Sequence, residues 1–270
     1  MTADQKIVVA DFLDNAESFL LHRYRAHTKY TYEDDCVTST LQDNTALFVP
    51  SFMNKTVENE LPAETKKTKS QILKEIAEKI ISCNACDLAH TRIMTVPGEG
   101  VPHPLALIIG EGPGAAEDQS GRPFVGEAGQ LLDRMLEPIG LSRTKNCFIA
   151  NIVKCRPPGN RDPLPQEITA CDAFLQKQID VLKPKVIVAL GNVPSKTLLN
   201  TEKGITKIRG CWTLYNGIPF LPTYHPSYLL RDPSQKAAAW EDMKMLCRRL
   251  AELDSVYAAE TESLRRDRKI

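Results

Sequence analysis

The chain has 270 residues and an apolar fraction of 42 %, which is enough for one large domain with a full core. It contains no apolar run near the roughly 18 residues that a membrane span requires, and its start lacks a secretory signal, so we expect a soluble cytoplasmic protein. The 34 basic and 34 acidic residues balance, which argues against a strongly basic nucleic-acid-binding domain.

The charge is unevenly distributed along the chain. Residues 1–65 contain 5 basic and 11 acidic residues, so the remainder has a surplus of basic groups that is compatible with DNA binding. Residues 6–27 have roughly helical apolar spacing, whereas residues 28–68 are rich in Thr, Asn, Asp and Glu without periodicity. We therefore expect residues 1–68 to form a helix and a flexible acidic linker. The alternatives for its role are a contact for a protein partner, an autoinhibitory strip over the basic face, and no role at all.

The body of the chain, residues 69–255, alternates short apolar runs with helical patterns, whereas residues 256–270 are expected to be a charged tail that frays from Glu260 onward. This alternation predicts a four-stranded parallel sheet covered on both faces by helices. The predicted strands are Leu105–Ile109, Cys147–Ile152, Val186–Leu190 and Pro219–Thr223. The predicted helices are Lys69–Ser82, Ala128–Ile139, Pro165–Leu182, Pro194–Leu199 and Gln235–Leu253.

Polar residues follow the predicted strands at the points where those strands end. Glu111 lies in a glycine-rich turn after the first strand, Asn151 ends the second, and His225 follows the fourth. Because ligands bind at the carboxyl ends of parallel strands, these side chains are expected to meet at one edge of the sheet. The ordinary structural alternative is a tight turn around Glu111, a loop cap for Asn151 and a structural histidine for His225. A lone phenylalanine such as Phe124 is usually a core residue. Together they favour a site.

Four of the eight cysteines have a spacing that favours metal ligation. Cys83 and Cys86 form a C-x2-C pair, and Cys155 and Cys171 follow further along the chain. Four thiolates suit either a zinc ion or an iron–sulfur cluster, and the presence of only one close pair slightly favours the cluster. Simple burial is the alternative, and it is more credible for the apolar or helical positions Cys147, Cys211 and Cys247.

Four stretches resemble the family 4 uracil-DNA glycosylases in sequence, order and spacing, over roughly residues 70–253. They are residues 110–118, 121–129, 151–160 and 225–231. The resemblance implies a three-layer α/β/α sandwich with a central four-stranded parallel sheet, and a hydrolase that releases uracil from DNA and leaves an abasic site for base excision repair. It also implies a [4Fe-4S] cluster held by Cys83, Cys86, Cys155 and Cys171, with zinc as the less favoured alternative.

The resemblance further implies the roles of the catalytic residues. Asn151 would hydrogen-bond the uracil edge, His225 would stabilise negative charge on the departing base, and Glu111 would position or activate water. In other glycosylase families an Asp occupies the first motif, where Gly112 aligns here, so the sequence does not settle which group activates water.

The substrate-binding residues are implied in the same way. Gly112 would let the backbone approach the base, and Phe124 would stack on the flipped uracil. Ser227 and Arg231 belong to the stretch that would enter the DNA, where Tyr228, Leu229 or Leu230 is the candidate wedge. Phosphate contacts are expected from basic residues near these motifs, namely Lys154, Arg156, Arg161 and Arg231.

Three other functions were weighed. One relative traps uracil covalently through a histidine, but the corresponding loop, Pro158–Pro163, contains none, which favours turnover. A non-catalytic DNA-binding or replication-associated module would be expected to lack the site residues. A nucleotide-binding hydrolase would need a phosphate-loop lysine at Gly110–Gly114, and this stretch contains none. We therefore expect a monomeric enzyme that acts on uracil in single- or double-stranded DNA, associated with the nucleoid in a bacterium.

Overall fold

A six-stranded sheet runs through the computed structural model, which describes residues 67–267. The strands are β1 (Glu99–Gly100), β2 (Ala106–Gly110), β3 (Cys147–Asn151), β4 (Val186–Leu190), β5 (Thr213–Tyr215) and β6 (Ile218–Thr223). Their order is β1-β3-β2-β4-β6-β5, and the four central strands are parallel. The predicted four-stranded parallel sheet is confirmed. The two antiparallel edge strands were missed because two or three residues are too few to show an apolar pattern.

Nine α-helices are described. They are α1 (Lys69–Ile81), α2 (Ala115–Ser120), α3 (Glu127–Leu136), α4 (Pro165–Leu182), α5 (Asn192–Leu199), α6 (Ile205–Ile208), α7 (Pro226–Arg231), α8 (Lys236–Leu253) and α9 (Ser255–Asp267). The five predicted helices correspond to α1, α3, α4, α5 and α8, with ends shifted by up to three residues. The short α2, α6 and α7 were not predicted, because one or two turns give too little periodicity.

The end of the chain differs from the expected charged tail. Residues from Ser255 to Asp267 form α9, in which Tyr257 and Thr261 are buried. The Tyr257 hydroxyl donates a hydrogen bond to the carbonyl of Ile139, at the end of the helical segment that follows α3. The prediction of a fraying tail was therefore wrong as far as Asp267, because the chain continues as a helix whose Tyr257 and Thr261 side chains are buried.

The sheet separates two hydrophobic cores, which gives the three-layer α/β/α arrangement. Successive strand residues point to opposite faces, so Ala106 and Ile108 belong to one core and Leu107 and Ile109 to the other. The first core packs α3, α7, α8 and α9 against the sheet, and the second packs α4 and α5 against its other face. The sandwich expected from the sequence is thus confirmed.

The parallel register aligns the carboxyl ends of the central strands. Gly110, the last residue of β2, pairs with Asn151, the last residue of β3, while Leu190 pairs with Thr223 at the ends of β4 and β6. The chain segments that leave these strands therefore start from one edge of the sheet.

The described part of the chain has no helix that is long and apolar enough to cross a bilayer. The helix expected at residues 6–27 and nearly all of the acidic linker lie outside the described residues, so their roles stay predictions. Helix α1 begins one residue after Thr68, whose hydroxyl accepts a hydrogen bond from the Gln71 backbone while the Gln71 side chain accepts one from the Thr68 backbone.

A buried ion pair joins the end of α6 to α8, and the last residue of β6 is hydrogen-bonded to it. The guanidinium of Arg209 contacts both carboxylate oxygens of Asp242, which is only 1 % exposed, and the Thr223 hydroxyl donates to the same carboxylate. Arg209 also lies over the ring of Tyr224, 5.2 Å from its centroid. Burial raises the pKa of Asp242 to about 6, and the adjacent Arg209 opposes that shift. This pair holds the segment that leads from β6 into the carboxyl edge of the sheet.

Replacing Arg209 with Met would leave Asp242 buried without its cation. We expect the free energy of unfolding to fall by about 3 kcal/mol at neutral pH, because breaking a buried ion pair leaves an uncompensated charge. The folded-state pKa of Asp242 lies above its usual 3.8, so ionisation opposes folding as the pH rises through about 6. The loss should therefore shrink in acid. Urea unfolding at neutral and mildly acidic pH measures both effects.

Arg249→Met is the matched control, because Arg249 forms an exposed ion pair with Glu252 on the same helix. We expect that substitution to change stability by less than about 0.5 kcal/mol at either pH. Similar losses in the two variants would show that the buried pair has no special role.

Candidate active site and cysteine site

All of the predicted catalytic and substrate-binding residues line one cleft of about 570 Å³ at the carboxyl edge of the sheet. They come from four separate segments that follow the central strands. The residues are Glu111, Gly112, Phe124, Asn151, His225, Ser227 and Arg231. A cleft of this size is in the usual range for the binding of a small organic group.

Asn151 presents an unsatisfied polar atom to this cleft. Its side chain is 1 % exposed, and its amide oxygen has no hydrogen-bond partner among the described residues. A buried acceptor without a partner costs about 1–3 kcal/mol. A ligand that brings an N–H donor into the cleft would satisfy it.

Gly110 is the residue that makes room for this arrangement. A Cβ atom on Gly110 would lie 2.4 Å from the Asn151 amide oxygen and 2.6 Å from the ring of Phe124. Such distances are far shorter than a van der Waals contact, so a side chain here would displace one or both groups. The missing Cβ therefore allows a polar edge and an aromatic ring to lie side by side.

Phe124 is held in a backbone conformation that is unusual for a residue with a side chain. Its φ angle is 53°, in the left-handed region, which is a strained conformation for a bulky residue. Arg143 stabilises it by donating to the carbonyl oxygens of Pro123 and Phe124, at 2.8 and 2.9 Å. Gly129 permits the close turn, since a Cβ there would lie 2.0 Å from the Phe124 carbonyl oxygen.

Glu117 fixes the other end of the same turn. One of its carboxylate oxygens accepts hydrogen bonds from the backbone N–H groups of Val125 and Gly126, at 2.8 and 2.9 Å. The sequence analysis did not assign Glu117 any role, although it lies within one of the motifs. Its function here is to hold the Phe124 ring in place, 5.5 Å from the ring of His225.

His225 is oriented by the first turn of α7. Its Nδ1 atom accepts a hydrogen bond from the backbone N–H of Ser227 at 3.1 Å, which assigns the proton of the neutral ring to Nε2. Burial lowers the pKa of His225 to about 4, and the positive charge of Arg231 contributes in the same direction. At neutral pH the imidazole is therefore uncharged and has a single N–H donor.

Glu111 makes no side-chain hydrogen bond or ion pair with any described residue. Burial, with a further contribution from the negative charge of Asp162, raises its pKa to about 7. Glu111 is consequently divided between its protonated and ionised forms near neutral pH, which suits a group that exchanges protons with water.

Two assignments near the motifs need correction. Lys154 was expected to contact phosphate, but its side chain is only 1 % exposed and its ammonium donates to the Asn151 carbonyl and to Gln178, both at 2.8 Å. Burial lowers its pKa to about 8. Leu229 is fully buried in the first core, so among the three candidate wedges only Tyr228 and Leu230 reach the surface.

The four cysteines with metal-ligand spacing line a second, much smaller cavity of about 10 Å³, on the other side of the Cys155 segment. Cys155 Sγ accepts a hydrogen bond from Arg92 at 3.1 Å, and Cys171 Sγ accepts one from the Lys154 backbone N–H at 3.3 Å. Arg92 also donates to the carbonyl of Cys83. Four cysteines that line one small cavity, two of which accept an N–H donor at sulfur, suit a metal group that is held by thiolates.

The pKa values of Cys155 and Cys171 reflect both their burial and the nearness of other cysteines. Burial raises the pKa of Cys171 to about 11 and also raises that of Cys155, and in both cases the neighbouring cysteines add to the shift. Among the described residues, no three His, Cys, Asp or Glu side chains are grouped as the ligands of one metal ion. Cys147 and Cys247 lie in the first core, as the alternative of simple burial predicts for them.

Comparison with known proteins agrees with the family resemblance of the sequence motifs. The family model described as "Uracil DNA glycosylase superfamily" matches residues 97–244. A type-4 uracil-DNA glycosylase from Sulfurisphaera tokodaii is 45 % identical over 64 % of this chain and 83 % of its own length. Type-4 uracil-DNA glycosylases from Thermotoga maritima and Pyrobaculum aerophilum are 43 % and 41 % identical, over 63 % and 64 % of this chain and 88 % and 92 % of their own lengths.

Replacing Glu117 with Ala would remove the acceptor of two backbone hydrogen bonds beside Phe124. We expect the amide hydrogens of Val125 and Gly126 to exchange with solvent at least about tenfold faster, because each bond to a charged group contributes about 1.5–3 kcal/mol. Hydrogen exchange followed by NMR measures this. Gln119→Ala, an exposed change on the same helix, should leave both rates unchanged. Equal rates in the Glu117 variant and the unmodified protein would contradict the role of Glu117.

Proposed function

Because the chain belongs to the uracil-DNA glycosylase superfamily, and within it to the type-4 enzymes, we propose that it removes uracil from DNA. The reaction is hydrolysis of the N-glycosidic bond of deoxyuridine, which releases free uracil and leaves an abasic site in the DNA. Such an enzyme begins base excision repair of deaminated cytosine. The family assignment rests on a match to more than half of the chain and on relatives that are covered over most of their length.

The unpartnered amide oxygen of Asn151 is the observation that carries this proposal. Uracil has an N–H donor at N3, whereas cytosine has an acceptor there, so an amide oxygen held at this point distinguishes the two bases. The adjacent ring of Phe124 supplies a flat apolar surface on which a base can stack. A base within a duplex cannot reach such a cleft, so the nucleotide must be flipped out of the stack.

His225 supports the departure of uracil. When the bond between N1 of uracil and C1′ of the sugar breaks, its electron pair stays on the base, and negative charge spreads to the oxygen O2. The neutral imidazole has its one N–H donor at Nε2, since Nδ1 accepts from the Ser227 backbone. Removing a donor of this kind typically costs about 2.7–4 kcal/mol of transition-state stabilisation.

Glu111 is suited to the other half of the reaction. The sugar develops positive charge as uracil leaves, and a water molecule must then lose a proton as it attacks C1′. The ionised carboxylate of Glu111 can stabilise the positive charge on the sugar and accept the proton that the water loses. Because its pKa is about 7, we expect the excision rate to rise with pH through that value and then level off.

Contacts with the DNA would come from the rim of the cleft. Arg231 is exposed and lines the cleft, so it is the strongest candidate for a phosphate contact. Leu230 is 38 % exposed on the same helix and is the better candidate wedge, since the hydroxyl of Tyr228 is bonded to Asp232. Binding should weaken as salt is raised. Action on single or double strands and a monomeric state are part of the same proposal.

We also propose that Cys83, Cys86, Cys155 and Cys171 hold a [4Fe-4S] cluster. A cluster spaces its four sulfur ligands over four iron atoms, whereas a zinc ion draws four sulfurs around one centre. The presence of only one close-spaced pair among the four cysteines favours the cluster. When bound, it would supply structural crosslinking, because its ligands join the segment after α1 to the end of β3 and to α4.

Substituting Asn151 or His225 with Ala tests the excision site. The unmodified protein should release uracil from a uracil-containing oligonucleotide, which alkali converts into strand breaks at the abasic sites. Each variant should excise at least about 100-fold more slowly, given the value of a single donor at such a site. His225→Gln keeps an N–H donor and should retain more activity than His225→Ala. Tight binding of uracil-containing DNA without any release by the unmodified protein would favour the non-catalytic DNA-binding alternative.

Substituting Cys86 or Cys171 with Ser tests the metal group. The anaerobically purified protein should contain about four iron atoms per chain and absorb visible light, and both features should be lost in either variant. Cys247→Ala, in the core between the sheet and α8, should retain both. One zinc ion per chain in the unmodified protein, in place of iron, would contradict the cluster.

A further inference from the structure

The loop between β3 and α4 brings a second carboxylate to the cleft that holds Glu111. Asp162 lies in this loop and lines the same cleft, and its negative charge contributes to the raised pKa of Glu111. Its carboxylate makes no hydrogen bond or ion pair with any described residue. Both residues line the cleft, Glu111 half-buried and Asp162 exposed, and neither carboxylate is bound to a described residue, so both are available for water and for a substrate with positive charge.

The loop is built so that Asp162 is not neutralised by its neighbour. The guanidinium of Arg161 binds both carboxylate oxygens of Glu167, at 2.7 and 2.9 Å, and donates to the backbone carbonyl of Asp162 at 2.9 Å. Arg161 therefore holds the loop backbone in place while its charge is directed to Glu167. Pro163, the next residue, is buried and anchors the loop on the other side.

The same cleft also contains the buried, unpartnered amide oxygen of Asn151, so the two carboxylates belong to a ligand site and are not an isolated acidic pair. Among residues 67–267, the only other carboxylate that lines this cleft is Glu117, which accepts hydrogen bonds from two backbone N–H groups. The other charged or titratable residues that line the cleft are Arg161, Tyr224, His225, Tyr228 and Arg231.

We propose that Asp162 is a second carboxylate of the hydrolytic centre, which acts with Glu111 to hold the attacking water and to stabilise the positive charge on the sugar. This rests on the proposed excision of uracil. It also answers a question that the sequence leaves open, since Gly112 stands where other glycosylase families have an Asp. Asp162 would restore the missing acidic group from a different loop.

Glu111, Asp162 and one water molecule account for every bond and proton in the hydrolysis of the N-glycosidic bond. The N1–C1′ bond breaks and its electron pair leaves with uracil as the N1 anion. The oxygen of water forms a new bond to C1′, and the proton that it loses passes to Glu111. Asp162 accepts the hydrogen bond of the second water hydrogen, which remains on the new sugar hydroxyl. Exchange with solvent then returns the proton from Glu111 and reprotonates uracil.

Asp162→Asn is the test, with the uracil-containing oligonucleotide in single-turnover reactions and a non-cleavable 2′-fluoro-deoxyuridine analogue for binding. We expect excision to slow about 100-fold, the scale of general acid–base catalysis, while the Kd for the analogue is unchanged or lower. Loss of a negative charge near phosphate would, by itself, favour binding. A slower reaction with equal or tighter binding therefore identifies a catalytic contribution and excludes a general charge effect.

The pH profile gives a second readout that a structural role would not move. Without the negative charge of Asp162, Glu111 ionises more easily, so the rising limb of the rate against pH should shift to lower pH. Asp180→Asn is the matched control, because it removes the same charge from an exposed position of α4 that does not line the cleft. Thermal unfolding of both variants verifies that they are folded.

The outcomes separate the two proposals. An Asp162→Asn variant that excises as fast as the unmodified protein, or that loses rate only in proportion to binding with no shift of the pH profile, overturns the role of Asp162 and leaves uracil excision standing. An unmodified protein that releases no uracil removes the proposed function, and the role of Asp162 with it.

Discussion

The arrangement of the cleft depends on the register between β2 and β3. Their parallel pairing sets Gly110 opposite Asn151 at the carboxyl edge, and only a residue without a Cβ leaves room there for the amide and for the ring of Phe124. If the two strands slipped by one residue, each side chain would move to the opposite face of the sheet. The packing of the two cores, which fixes the register, is therefore also what positions the groups that would contact a base.

Several features of the cleft are unfavourable for folding and are held by contacts outside it. Phe124 has a strained backbone, Asn151 has a buried acceptor without a partner, and burial depresses the pKa of His225. Arg143 and Glu117 bind the backbone on either side of Phe124, and neither needs to touch a ligand to do so. The surroundings thus impose a geometry that the site residues would not adopt by themselves, as is common where preorganisation serves binding.

The sequence was sufficient for the parallel sheet, the long helices and the residues that gather at the cleft. Each of these has a local signal, either an apolar period or polar residues at a strand end. It was not sufficient for Lys154, because a lysine within an apolar stretch gives no sign of whether its ammonium points outward or into the protein. The position of Asp162 in the cleft was missed for a similar reason, since an Arg-Asp pair usually suggests mutual neutralisation, and only the structure shows that Arg161 binds Glu167 instead.

Lys154 contacts residues of both the cleft and the cysteine site. Its ammonium donates to the backbone carbonyl of Asn151, a residue that lines the cleft, while its backbone N–H donates to the sulfur of Cys171. A buried cation needs compensating negative charge, yet the described residues offer no carboxylate to it, only Gln178 and a carbonyl. Thiolates around a bound metal group would provide that charge. The cysteine site would then stabilise the charged side chain of Lys154, which donates to the carbonyl of Asn151. Loss of the metal group would therefore affect the cleft through Lys154.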